Sequence, residues 1–206
     1  MKLKDFYRQV VDMNDSLKGG WAKTYYGIFS DVIQENNYKN VAEVGIGYGT
    51  HAKYIMKTTN VDKLYLIDPM KYYENDGFAT DIITKEPNAG GKQFNELYEL
   101  IQLELSPWKE RIHFLRVPSL EVSQDMIPDG SLDAVFVDGD HSYSAVSADL
   151  KFWWKKIRVG GQMLGDDWWI SDVQQAVSEF ANTNSLEFDF LEKESEKYKI
   201  FRFKKS

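Results

Sequence analysis

The chain has 206 residues, with 32 acidic against 25 basic side chains and a formal net charge of −7, a balance that argues against a surface built to neutralise phosphates and so against a nucleic-acid partner. The segment MKLKDFYRQVVDM lacks the apolar core of a signal peptide and no run approaches the roughly 18 apolar residues of a membrane span, so the expectation is a soluble, cytoplasmic protein with no membrane partner. With no cysteine, disulfides, thiolate metal sites and cysteine nucleophiles fall away together, and any metal must rest on oxygen or imidazole.

In chain order, residues 1 to about 38 read as an N-terminal helical cap. There Tyr25, Ile28, Phe29, Val32 and Ile33 fall on the i, i+3, i+4 stripe of an amphipathic helix. A strand NVAEV follows, then a helix from about Thr50 and a strand KLYLI. The connection 69–91 is rich in turn formers and longer than a compact domain usually spends on a link, which makes it a candidate lid or substrate loop. A helix carrying Phe94, Leu97, Ile101 and Leu105 leads to a strand IHFLRV and then a strand LDAVFV. Next come a helix carrying Val146, Leu150, Trp153, Trp154 and Ile157, a strand GQMLG, and a helix carrying Val173, Ala176, Val177 and Phe180. The tail, LEFDFL and YKIFRF around the charged EKESEK, reads as a hairpin. Strands separated by helices imply right-handed crossovers and a doubly wound, mostly parallel α/β sheet covered on both faces, closed by antiparallel strands. There is no internal repeat, and 1–206 reads as one domain.

Two stretches carry chemical signals. EVGIGYG places Gly45, Gly47 and Gly49 at a strand-to-helix turn, where missing side chains let a ligand approach backbone amides at a helix start. The dinucleotide fingerprint G-x-G-x-x-G is broken, because the third glycine comes one residue early. That spacing counts against the alternative of a nucleotide-binding oxidoreductase. Asp68, closing the strand KLYLI, is placed to accept ribose hydroxyls or else simply opens an Asp-Pro turn. The second stretch is VFVDGDHSY, a buried-looking strand that ends in three ionisable groups.

On E-x-G-x-G-x-G after strand one, the acidic end of strand two and the closing hairpin, the chain resembles the class I S-adenosylmethionine-dependent methyltransferases. The resemblance implies a Rossmann-like seven-stranded sheet of order 3-2-1-4-5-7-6 with strand seven antiparallel. It also implies S-adenosyl-L-methionine bound by Glu43, Gly45, Gly47 and Gly49, its ribose on Asp68, and Ser119 beside the adenine. In that topology strands four and five are neighbours, so Asp138 meets Asp166 and Asp167 at one edge. Carboxylates brought together collect a cation or raise each other's pKa, and oxygen ligands suit a hard ion such as Mg2+. VFVD followed by LGDDW resembles the metal-dependent small-molecule O-methyltransferases of catechol and macrolide-sugar type, which implies Asp138, Asp166 and Asp167 as metal ligands.

Asp140 sits where a carboxylate caps the following helix. His141, three residues past Asp138, is a candidate general base or a loop histidine facing the same edge. Trp153 and Trp154 read as core. Of Trp168 and Trp169, one forms a wall of the acceptor pocket or packs under the last helix, and Tyr72 and Tyr73 in the long connection are further candidates. The expectation is a methyltransferase acting on a hydroxyl of a small molecule (sugar, polyketide or phenol), Mg2+-assisted, with a metal-free enzyme of the same fold as the alternative. The sequence leaves a homo-oligomer open.

Overall fold

The computed structural model describes residues 2–15, 25–71, 90–192 and 199–206. Elements follow the expected alternation: α1 (Leu3–Asp15), α2 (Tyr26–Glu35), β1 (Asn40–Val44), α3 (Thr50–Thr58), β2 (Lys63–Ile67), α4 (Gly90–Glu104), β3 (Ile112–Leu115), β4 (Leu132–Val137), α5 (Tyr143–Lys156), β5 (Ile157–Gly165), α6 (Ser171–Asn184), β6 (Phe188–Glu192) and β7 (Lys199–Lys204). The seven strands form one sheet in the order β3-β2-β1-β4-β5-β7-β6. β7 runs antiparallel to β5 and β6, and the other pairings are parallel.

The strand period of two divides the core into two layers. Val41, Ala134 and Phe136 face one side, where Phe29, Ile33, Ile55, Leu97 and Ile101 of the helices bury their stripes. Ala42, Val44, Val135 and Val137 face the other, against Val146, Leu150, Trp153, Val177 and Phe180. All six residues of β4 are buried, as the central strand of a sheet covered on both faces must be.

Register sets where the chemistry lands. Val44 pairs with both Ile67 and Val137, and Val137 with Gly165. The carboxyl ends of β1, β2, β4 and β5 are therefore level, and Gly45, Asp68, Asp138 and Asp166 emerge along one edge. This is the crevice in which open α/β sheets hold ligands.

Two boundaries differ from the sequence reading. Ile157, placed on a helical stripe, is the first residue of β5: α5 passes into the strand without a loop, and Ile157 pairs with Leu132. It is fully buried, a demand that helix and strand meet equally well. The strand expected over IHFLRV stops at Leu115, since Pro118 is followed by a short 3-10 turn, Ser119–Glu121. Most of the 69–91 connection, with Tyr72 and Tyr73, and the hairpin's turn lie outside the described residues.

Candidate functional site

The glycine loop is built as much by packing as by any ligand. Gly45, Gly47 and Gly49 all have positive φ (83°, 48° and 71°), a region where a Cβ is costly. A Cβ on Gly45 would collide with the carbonyl oxygen of Asp138, and one on Gly49 would meet Ile101 Cγ2 at 2.7 Å. Asp68 is tied to this loop, its Oδ2 accepting from the amide of Ile46 (3.1 Å) and its Oδ1 from that of Met70 (2.8 Å). The turn role and the ligand role thus share one carboxylate, which has lone pairs for both.

Glu43 is 2% exposed. Its Oε1 lies 3.1 Å from His51 Nδ1, and burial raises its pKa against the lowering effect of that histidine. Among the described residues, Glu43 Oε2 and His51 Nε2 have no hydrogen-bond partner. Ser119 donates to Asp149 Oδ1 on α5. Burial pushes Asp149 up to about 6, the Ser119 bond opposing it and the charge of Asp140 adding to it.

At the level ends of β4 and β5 the acidic residues gather. One donor atom each from Asp138, His141 and Asp167 lies within 4.8 Å of the others. His141 Nε2 is 2.7 Å from Asp167 Oδ2 and 3.7 Å from Asp138 Oδ1. The carboxylates of Asp138 and Asp167 push that imidazole up to about 10, outweighing its partial burial. Asp166, expected as a ligand, is not part of this group. Its Oδ1 accepts the amide of Asp167 at 2.7 Å, and burial, then the charges of Asp138 and Asp167, raise it to about 8. The backbone turns between the two residues, with Asp167 at φ +59°.

Asp140 is not the helix cap. The cap is Ser142, whose Oγ accepts from the amide of Ala145, and Asp140 Oδ1 accepts the amide of Ser142 one step earlier. Trp153 is core, as expected. Trp168 packs on Phe188 and Phe190 of β6, and Trp169 stays exposed with its Nε1 on Asp167 Oδ1 at 2.8 Å.

The sequence reading missed three contributors. Tyr25, read only as a stripe residue, directs its hydroxyl at Asp138 Oδ2 (3.4 Å), and nothing in the sequence distinguishes that tyrosine from its neighbour. His51, set aside as a helix start, partners Glu43. Asp149 left a signal: Val146, Asp149, Leu150 and Trp153 share one buried helical face, and an acid on an apolar stripe calls for a partner.

The donor set of one imidazole nitrogen and two carboxylate oxygens fits a divalent cation with positions left for substrate oxygens. The loop amides, Asp68 and the orphaned acceptor of Glu43 fit a ligand carrying both hydroxyl and amino groups.

Comparison with known proteins bears on the family and the fold. A family model described as a methyltransferase domain matches residues 42–168, from within β1 through the turn after β5. A 58-residue stretch is 36% identical to the uncharacterized protein R132 of Acanthamoeba polyphaga mimivirus, covering 26% of this chain and 26% of that protein. Among solved structures, the chain is similar to the O-methyltransferase from Bacillus cereus in complex with SAH, with a TM-score of 0.63 and 12% identity over 97% of this chain and 89% of that one. It is similar also to cofactor-bound Rv0187 from MTB, with a TM-score of 0.63 and 12% identity over 98% and 88%. At these identities the likeness is one of fold.

Proposed function

The chain belongs to this methyltransferase family, with the class I S-adenosylmethionine-dependent fold, and from that premise we propose that it methylates a hydroxyl of a small-molecule acceptor with the help of a divalent cation. The observation that carries the reading is the joining of two half-sites at one edge. The glycine loop abuts the backbone of Asp138, and Asp138 lies with His141 and Asp167 in one group of donor atoms. S-adenosylmethionine supplies an electrophilic methyl group. Asp68 and the glycine loop would hold it by its ribose and its amino-acid end, with Glu43 beneath them and Ser119 toward the base. Asp138, Asp167 and His141 would hold the cation, Mg2+ being the hard-ion candidate and the nitrogen donor widening the choice toward Mn2+. A divalent cation held there would lower the pKa of an acceptor hydroxyl, whose proton would pass to solvent, and the oxygen would take the methyl group as S-adenosylhomocysteine leaves. Tyr25 would hold the first carboxylate through its hydroxyl, and the apolar walls of Val137 and Val146 would exclude water from the transfer.

A second reading is favoured by the 2.7 Å His141–Asp167 pair: a metal-free enzyme in which His141 takes the acceptor's proton. It differs from the first in its demand for metal, since turnover would survive removal of every divalent cation. Calorimetric titration with S-adenosylhomocysteine, NAD and Mg2+ tests the proposal. S-adenosylhomocysteine and Mg2+ bind and NAD does not, and Asp68→Ala weakens the nucleoside by about 1–3 kcal/mol. Binding of NAD alone overturns the methyltransferase reading, and full turnover in excess EDTA overturns the cation.

A further inference from the structure

The turn after β5 sends two neighbouring indoles to different fates. Trp168 goes into the hairpin, its ring centroid 4.7 Å from that of Phe190. Trp169 is 67% exposed, yet it is anchored, because its Nε1 donates to Asp167 Oδ1 at 2.8 Å. The turn beneath it is fixed in turn. Asp167 holds φ +59°, its amide bonds Asp166 Oδ1, and its carbonyl accepts from Ile170 N at 2.8 Å. The other oxygen of the same carboxylate lies 2.7 Å from His141, so a single side chain ties the indole to the group of Asp138, His141 and Asp167. A large aromatic face oriented by its own N–H and left in water beside ionisable groups is the make-up of a recognition surface, apolar on one side and polar at the rim.

We propose that Trp169 is a specificity-determining residue of the acceptor subsite, its ring face receiving the flat side of an acceptor ring whose hydroxyl points at Asp138, His141 and Asp167. This inference rests on the methyltransferase reading above. Asp138, Asp140 and Asp166 line the adjoining pocket with His141.

Saturation-transfer NMR on the full chain, saturated with S-adenosylhomocysteine and Mg2+, provides the test. The probes are catechol and the acyclic 1,2-propanediol. Catechol binds through its ring protons, and the acyclic diol binds more weakly. Trp169→Ala weakens catechol about 10-fold, whereas Trp169→Phe, which keeps a ring but not its anchor, weakens it about 3-fold. Both variants keep wild-type affinity for S-adenosylhomocysteine, which shows that they are folded. Equal catechol affinity in the wild type and Trp169→Ala overturns the proposal. So does a wild type that binds S-adenosylhomocysteine but not catechol, or that prefers the acyclic diol. A wild type that does not bind S-adenosylhomocysteine sinks the underlying methyltransferase reading instead.

Discussion

Asp138 is the residue on which the two half-sites meet: its carbonyl oxygen fills the place of a Gly45 side chain, and its carboxylate faces Tyr25 and His141. Asp138→Asn preserves shape and much of the hydrogen bonding but removes the charge that a hard dication needs. It is expected to abolish metal-dependent turnover and Mg2+ binding while leaving S-adenosylhomocysteine affinity within about 3-fold, as followed by calorimetry. Nearby, the cap has moved by two residues from where the sequence placed it. Ser142→Ala should cost about 1 kcal/mol in urea unfolding, and Asp140→Asn much less, because the amide oxygen still accepts from the Ser142 amide. Asp140 and Ser142 are both good capping types within one turn, and only the φ and ψ of the chain decide between them. For the same reason Asp138 and Asp167 were legible as a converging pair from the strand order, whereas the absence of Asp166 from the donor group was not. Asp167 holds a left-handed backbone that its residue type adopts more readily than most, but no sequence pattern announces it.

Among the elements, the βα turn was the most legible and its reason was the least. The three glycines announced close approach, but the approaching group at Gly45 is the end of β4 and at Gly49 the side of α4, contacts made by residues far along the chain. Gly45→Ala therefore combines a left-handed φ with a backbone collision. Gly130→Ala has a similar φ of +67° with nothing within 4 Å of a Cβ. The first should lose more than about 2 kcal/mol in thermal or urea unfolding and lose cofactor binding with it, and the second only about 1 kcal/mol. Equal losses would mean that the loop shifts freely away from Asp138. Helix stripes were read correctly where burial ran for three turns, as in α4. The join of α5 to β5 was not, because a single buried isoleucine satisfies either period.

At the scale of the whole molecule, a mostly parallel sheet covered on both faces followed from alternation and the closing hairpin, whereas its strand order came from the family resemblance. The polar groups locked between the layers were far less visible. Asp149 is one of them, and it makes folding pH-dependent. Its folded pKa, about 6, lies above the usual carboxylate value, so its contribution to stability is fully present below about pH 4 and is lost as pH rises through 6. Asp149→Asn has no such group to ionise. Its stability relative to wild type should therefore rise between pH 4 and 7, by on the order of 2–3 kcal/mol, in urea unfolding at several pH values. A difference that stays flat with pH would place that carboxyl in contact with water. The seam between Gly45 and Asp138 has one more consequence, for how such a chain can be recombined. The glycine loop and the β4 terminus are 93 residues apart in sequence (138 less 45), yet they occupy one another's space. A chimaera that takes β1 and its loop from one methyltransferase and β4 from another must therefore inherit both sides of the seam together. Crossover points between β5 and α6, or within the closing hairpin, leave it whole.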